Sequence, residues 1–276
     1  MLSVEDCGVS DAMIPRGRRR VKRGGLAARR SEALASPTVI YAARYLLIVL
    51  YTIVWGIPAC LVPLFDRSGE AVIWIGKQWV RWIFWSCGIE VEAEGLENVD
   101  PRRAYVFMSN HQSVTDVGAL VLTLPVSWRF VAKRELAWIP LFGWAIWLGG
   151  HVIINRGRND RAVASLRRAA ERVRRGVNVI LFPEGTRSEG EMRPFKSGGF
   201  HLAIEAQVPV LPVTISGSRR LTPKGSLRVE SGLVKVRYGK PVETRGLGVG
   251  DREALKQQVR EAIVAGFDPE LQRTAA

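Results

Sequence analysis

The chain is poor in cysteine: Cys7, Cys60 and Cys87 are the three present in 276 residues, and no two form a Cys-x-x-Cys pair. Such spacing excludes a disulfide framework and a structural zinc site, and makes a reducing compartment the default. Histidine is as scarce, at three: His111, His151 and His201. The sequence has no Gly-x-Ser-x-Gly elbow, no GxxxxGK[ST] and no strand-linked GxGxxG. Serine-hydrolase, P-loop and dinucleotide chemistries are thereby unsupported. Tryptophan is missing after Trp147, with all nine lying between Trp55 and Trp147. Acidic residues are in deficit, 26 Asp+Glu against 40 Lys+Arg, for a net charge of +14. A basic protein can be drawn to nucleic acid, an anionic membrane or a phosphorylated substrate. A disordered chain is ruled out, because 47% hydrophobic residues suffice for a sizeable core.

Charge is unevenly placed. Residues 1–36 carry 8 basic and 4 acidic side chains, residues 37–100 carry 4 and 7, and residues 101–276 carry 28 and 15. Arg16–Arg30 holds eight basic residues and no acidic one, and residues 1–36 read as a basic disordered tail. Residues 37–88 read as a membrane-associated two-helix hairpin. Tyr45–Phe65 is 21 residues without a charge, enough at about 1.5 Å per residue to reach about 30 Å, the thickness of a hydrocarbon core. After the polar turn Asp66–Glu70, Ala71–Ile89 is apolar but holds four tryptophans with Lys77 and Arg81. Each cation would cost about 2.5–3.5 kcal/mol at the bilayer centre, whereas Trp beside Lys or Arg suits the headgroup level. The expectation is a hairpin that enters the cell membrane without necessarily crossing it, with the basic tail and the body on the cytoplasmic side.

From residue 89 onward the pattern alternates. Strands are expected at Ile89–Glu94, Ala104–Met108, Arg129–Ala132, Val152–Ile154, Val177–Phe182, Val210–Thr214 and Leu233–Tyr238. Helices are expected near 114–123, 136–148, 160–175, 197–206 and 251–265. This order predicts an α/β domain over residues 89–276, with a mixed, largely parallel sheet covered by helices and its site at the carboxyl ends of strands.

Two strand ends carry candidate chemistry. His111 follows the strand ending at Met108, in Ser109-Asn-His-Gln-Ser-Val-Thr-Asp116. Within one helix, positions five apart diverge by about 140°. With His111 on a loop and Asp116 in the first helical turn, a carboxylate can hold one imidazole N–H and leave the other nitrogen as a general base. Ser113-Val-Thr-Asp116 equally resembles a capping box, in which Asp116 merely satisfies helix amides. At the second strand end, Phe182-Pro-Glu-Gly-Thr-Arg-Ser188 forms a tight turn whose Arg187 offers a planar fork for phosphate. Alternatively, Glu184 and Arg187 form a local ion pair. Arg193, Lys196 and Gly198-Gly199 follow at a helix start, and Lys133 closes a third strand. His151 and His201 read as structural.

Together these blocks resemble the lysophosphatidic acid acyltransferase family of glycerolipid acyltransferases. Asn110–Asp116 matches its NHxSxxD motif, and Lys133–Gly143 with Ile154-Asn155-Arg156 matches the second. Phe182–Ser188 is the third, FPEGTRS, unbroken, and Val208–Val213 matches the fourth. The order is the family's, over roughly residues 89–240, and Asn155 stands where many members have Asp. The resemblance implies transfer of a fatty acyl group from acyl-CoA or acyl-carrier protein to the sn-2 hydroxyl of lysophosphatidic acid, forming phosphatidic acid. It implies His111 as general base with Asp116 orienting it, Lys133 and Arg187 on the acceptor phosphate, and Glu184, Gly185 and Thr186 shaping the pocket. No metal or redox cofactor is implied. The rival acceptors are glycerol 3-phosphate, another lysophospholipid or a lyso-aminolipid. A basic membrane-attached binding protein is the rival outside enzymes, but the carboxyl-half cations lack the interleaved aromatics of a single-strand nucleic-acid surface, and no nucleic-acid partner is expected.

Overall fold

Short β-branched runs separated by amphipathic stretches should pair in parallel, since each crossover helix returns the chain to the same sheet edge. A computed structural model describes residues 19–21, 36–154 and 159–272. Its strands are β1 (Arg19–Val21), β2 (Ile89–Glu94), β3 (Val106–Ser109), β4 (Trp128–Lys133), β5 (Val152–Ile154), β6 (Asn178–Leu181), β7 (Val210–Ser216) and β8 (Gly232–Tyr238). They lie in the order β1-β2-β8-β7-β3-β6-β4-β5. The run from β7 to β5 is parallel, β8 is antiparallel to β7, and β2 is parallel to β8. The sheet is therefore mixed and largely parallel, as the alternation requires. Apart from β1, which pairs with residues 91–93, the tail through residue 35 lies outside the described residues.

The helices are α1 (Pro37–Leu61), α2 (Glu70–Cys87), α3 (Thr115–Thr123), α4 (Phe142–Leu148), α5 (Asn159–Arg174), α6 (Gly198–Ala206), α7 (Ser218–Leu221) and α8 (Arg252–Ala265). The expected helix near 136–148 is broken, being a 3-10 turn over Arg134–Trp138 followed by α4. Pro140 stands at the break and has no amide to donate. Successive strand residues point to opposite sheet faces. Phe107, Ile180 and Leu211 join Val80, Phe84 and Leu120 in one core, while Val106, Met108 and Val179 join Ala170, Phe200 and Val259 in the other.

That division positions the site. β3 leads through α3, on the first face, to β4; its neighbour β6 leads through α6, on the second face, to β7, beyond β3. The two connections leave in opposite directions and open a crevice at the carboxyl ends of β3 and β6.

Helices α1 and α2 pack along the domain. Ile73, Val80, Phe84 and Cys87 of α2 belong to the first core, while Trp74, Trp82 and Trp85 face outward. Lys77 donates to the Leu124 carbonyl at 3.2 Å and Arg81 to Gln78 at 2.8 Å. Helix α1 begins eight residues before the uncharged run, at Pro37, and buries Arg44. Arg44 donates to the Val229 carbonyl and Tyr41 to the Glu230 carboxylate. At the far end, the inter-helix turn is held by Arg129, which donates to the Ser68 carbonyl at 2.8 Å and to Glu70 at 3.1 Å. Both ends of the hairpin are thus tied to the domain, one just ahead of β8 and the other at β4.

His151 is structural: its Nδ1 accepts the Phe130 amide at 2.9 Å. Burial, reinforced by Arg129 and Arg172, pushes its pKa down to about 3 from 6.5. The unfolded chain then binds this proton below pH 6.5 while the native state does not until about pH 3. Stability should fall as pH drops through that window, by at most about 1.4 kcal/mol per pH unit. Denaturant titrations across the window should show a smaller slope for His151→Gln, which keeps an acceptor but cannot charge. Equal slopes would clear His151 of the effect.

Candidate active site

His111 leaves β3 on a loop that precedes α3, so Asp116, in the first turn of that helix, points back at it. His111 Nδ1 lies 2.9 Å from Asp116 Oδ2. The same oxygen accepts the amides of Gln112 at 2.7 Å and Ser113 at 2.8 Å. The carboxylate therefore both fastens the loop and holds the ring. The Ser113 amide is the one that a capping box on Ser113 would give to Asp116, so the oxygen that holds the ring also serves the start of α3. Asp116 is fully buried, while the His111 side chain keeps 17% of its surface. A carboxylate on Nδ1 selects the tautomer with the proton there, so the partly exposed Nε2 carries the lone pair.

The turn after β6 wraps around this residue. Glu184 Oε1 accepts the His111 amide at 2.7 Å, and Ser188 returns its own amide to the His111 carbonyl at 2.8 Å. The Phe182 ring stacks on the imidazole, with centroids 4.0 Å apart and planes at 19°. Phe182, Glu184 and Ser188 thus fix the ring plane, the amide and the carbonyl of His111. Asn110 adds a fourth restraint from β7, donating to the Ile215 carbonyl and accepting its amide, both at 2.8 Å.

Glu184 is not the local ion-pair partner of Arg187, because its oxygens are taken by main-chain amides. It is buried, and its second oxygen accepts the Arg193 amide at 2.8 Å. Burial pushes its carboxyl above the ordinary value, against the opposing pull of those two amides. Both oxygens are used to join the β3 and β6 loops. Gly185 has φ +75°, where side chains are strained, and a Cβ there would stand 3.0–3.2 Å from the end of the Lys196 side chain. Lys196 is therefore folded over the turn, a placement its distance in sequence concealed. Thr186 and Arg187 are half-buried in the turn between Glu184 and Ser188. Arg187 forms no ion pair among the described residues, so its guanidinium is not spent on Glu184. Lys133 ends β4, but its side chain lies outside the described residues, as do residues 155–158 with Asn155 and Arg156. His201 lies half-exposed, 3.6 Å from Glu205, on α6. No cluster that could hold a metal occurs among the described residues.

Chemically, the site offers an imidazole with a free nitrogen, a buried carboxylate behind it and cations on the adjacent turn. That arrangement can remove a proton from a hydroxyl on a molecule bearing an anion.

Comparison with known proteins agrees. The profile of the family described as Acyltransferase matches residues 90–216. The chain is 36% identical over 221 residues to 1-acyl-sn-glycerol-3-phosphate acyltransferase alpha of Homo sapiens, covering 79% of this chain and 77% of the relative. It is 32% identical over 220 residues to the 1-acyl-sn-glycerol-3-phosphate acyltransferase of Saccharomyces cerevisiae, covering 72% of each. The crystal structure of the 1-acyl-sn-glycerophosphate (LPA) acyltransferase PlsC from Thermotoga maritima superposes with a TM-score of 0.70 at 30% identity, covering 87% of this chain and 98% of that one.

Proposed function

This chain belongs to the 1-acyl-sn-glycerol-3-phosphate acyltransferase family, and on that premise we propose how it transfers an acyl group to the sn-2 hydroxyl of lysophosphatidic acid. The observation that carries the reading is the His111–Asp116 contact at 2.9 Å with Nε2 left free. His111 Nε2 takes the sn-2 hydroxyl proton as the oxygen attacks the thioester carbonyl of acyl-CoA or an acyl-carrier protein. The C–S bond then breaks, and the imidazolium returns the proton to the departing thiolate. One ester forms, one thioester is lost, and no acyl-enzyme is needed. Asp116 stabilises the imidazolium in between, because its charge is buried and close. The acceptor phosphate is held by Arg187 and Lys196, with Lys133 as a further cation. Gly185 and Thr186 shape the turn between them, and no metal or redox cofactor takes part.

We further read the chain as a peripheral protein of the cytoplasmic side of the cell membrane, in contact with anionic lipid. Pro37–Leu64 is, among the described residues, the helical stretch long and apolar enough to cross a bilayer. The ties at Arg44 and Arg129 argue for a helix lying along one leaflet. An upright helix would pull the polar sheet edges into lipid.

Purified protein given lysophosphatidic acid and either acyl-CoA or acyl-carrier thioester should yield phosphatidic acid with the new chain at sn-2. Turnover of glycerol 3-phosphate in place of lysophosphatidic acid would overturn the acceptor. Arg187→Ala should raise the KM for the phosphorylated acceptor about 10- to 100-fold, since charge-assisted bonds contribute about 1.5–3 kcal/mol. An unchanged KM would remove Arg187 from the phosphate site.

A further inference from the structure

Beyond the hairpin and the buried Trp128 of β4, three tryptophans have no role in the chemistry above. They lie in Leu136–Leu148, thirteen residues without a charge that join β4 to β5. A soluble crossover helix would turn such residues toward the sheet. Here Trp138 is 75% exposed, Trp147 68%, Trp144 53% and Ile139 45%. Grouped exposed side chains of this size mark a surface that binds something apolar.

The inner side of the segment shows what it is continuous with. Ala145 packs on the cluster of Ala59, Val72 and Ile75, contributed by α1 and α2. The Phe142 ring lies 5.7 Å from that of Trp79. Cys60 Sγ reaches the Leu141 carbonyl at 3.6 Å. Gly56 lets the chains approach, since a Cβ there would stand 2.9 Å from Leu141 Cβ. Docked in this way, the segment adjoins the end of α1 and the turn after it, where Leu61, Leu64 and Phe65 are also exposed.

We propose that Leu136–Leu148 is a second bilayer-inserting element, seated in the same leaflet as α1. This rests on the reading of α1 as membrane-facing. The occupant is lipid for two reasons. The face adjoins the end of α1, the helix apolar enough for a bilayer, and its exposed residues are chiefly indole rings close to Lys133 and Arg134, the composition of the headgroup boundary. The consequence concerns substrate entry. The segment leaves from the carboxyl end of β4, on the same sheet edge as the loops of His111 and Phe182. With that rim in the leaflet, a lysolipid reaches the site by lateral movement, its chain remaining in lipid.

The test uses the full chain, with Trp138, Trp144 and Trp147 changed together to Ser, and vesicles of phosphatidylcholine and phosphatidylglycerol. Partition onto vesicles should fall about tenfold or more. The KM for long-chain lysophosphatidic acid embedded in vesicles should rise by a similar factor. The kcat, and the KM for a short-chain, monomeric lysophosphatidic acid, should stay within about twofold. Unchanged partition overturns the proposal, as does a change of oligomeric state with partition intact, which would make the face a contact between copies. Should the triple variant unfold, Trp144→Phe and Trp147→Phe serve instead. Each should remove part of the intrinsic fluorescence quenched by brominated phosphatidylcholine, and the proposal fails if neither does. Vesicle binding is read without catalysis, so loss of the acyltransferase reading would leave this result standing, and the reverse also holds.

Discussion

His111→Ala should abolish acyl transfer, lowering kcat by about 10²–10⁴ or more, while leaving the fold and vesicle binding in place. The reasoning is local. The ring is the titratable group at the crevice with a free nitrogen, and its remaining polar contact is the bond to Asp116. The main-chain restraints on residue 111, from Glu184 and Ser188, do not involve the side chain and survive the change. What is lost is stacking on Phe182 and the base itself. A His111→Ala protein with normal melting and lipid binding but full turnover would end the general-base mechanism. Water or another residue would then have to accept the hydroxyl proton.

Asp116→Asn should be nearly as damaging, with an added effect on stability. One oxygen of Asp116 receives three donors, from the His111 ring and the amides of Gln112 and Ser113. Its other oxygen is buried without a partner among the described residues. If the Asn oxygen faces the three donors, its amide group is buried where nothing accepts it. If it turns round, three donors confront two more. Either arrangement should cost about 1–3 kcal/mol. The neutral side chain also no longer stabilises the imidazolium, so kcat should fall about 10²–10⁴ with little change in KM. Thermal melting and steady-state kinetics on one preparation separate the two effects. A rise in KM alone would place Asp116 in binding instead.

Much of the framework was legible in the chain. β2 and β5 fall on the expected residues, the other five expected strands shift by a residue or two at their ends, and β1 lies in the segment expected to be a disordered tail. Alternation of apolar residues is a local property and survives any tertiary context. The contact of His111 with Asp116 was legible too, because the loop-to-helix boundary lies between them. Whether Asp116 caps or orients could not be read from spacing, and the choice proved false, since one oxygen does both. The partners of Glu184 were hidden for a different reason. Its nearest charged neighbour in sequence is Arg187, but the groups that use its oxygens are the amides of His111 and Arg193.

By itself, then, the sequence determined the α/β alternation, the strand ends that carry His111 and Phe182–Ser188, and the presence of more apolar surface than a sheet needs. Only the tertiary structure decided where that surplus goes. Lipid and protein cores select the same side chains, so composition could not show that α2 turns Phe84 and Cys87 into the domain while Trp138, Trp144 and Trp147 stay outside it. Hydrogen bonds between residues about seventy apart, such as Glu184 with His111, leave no periodic trace either, because they depend on two strands becoming neighbours.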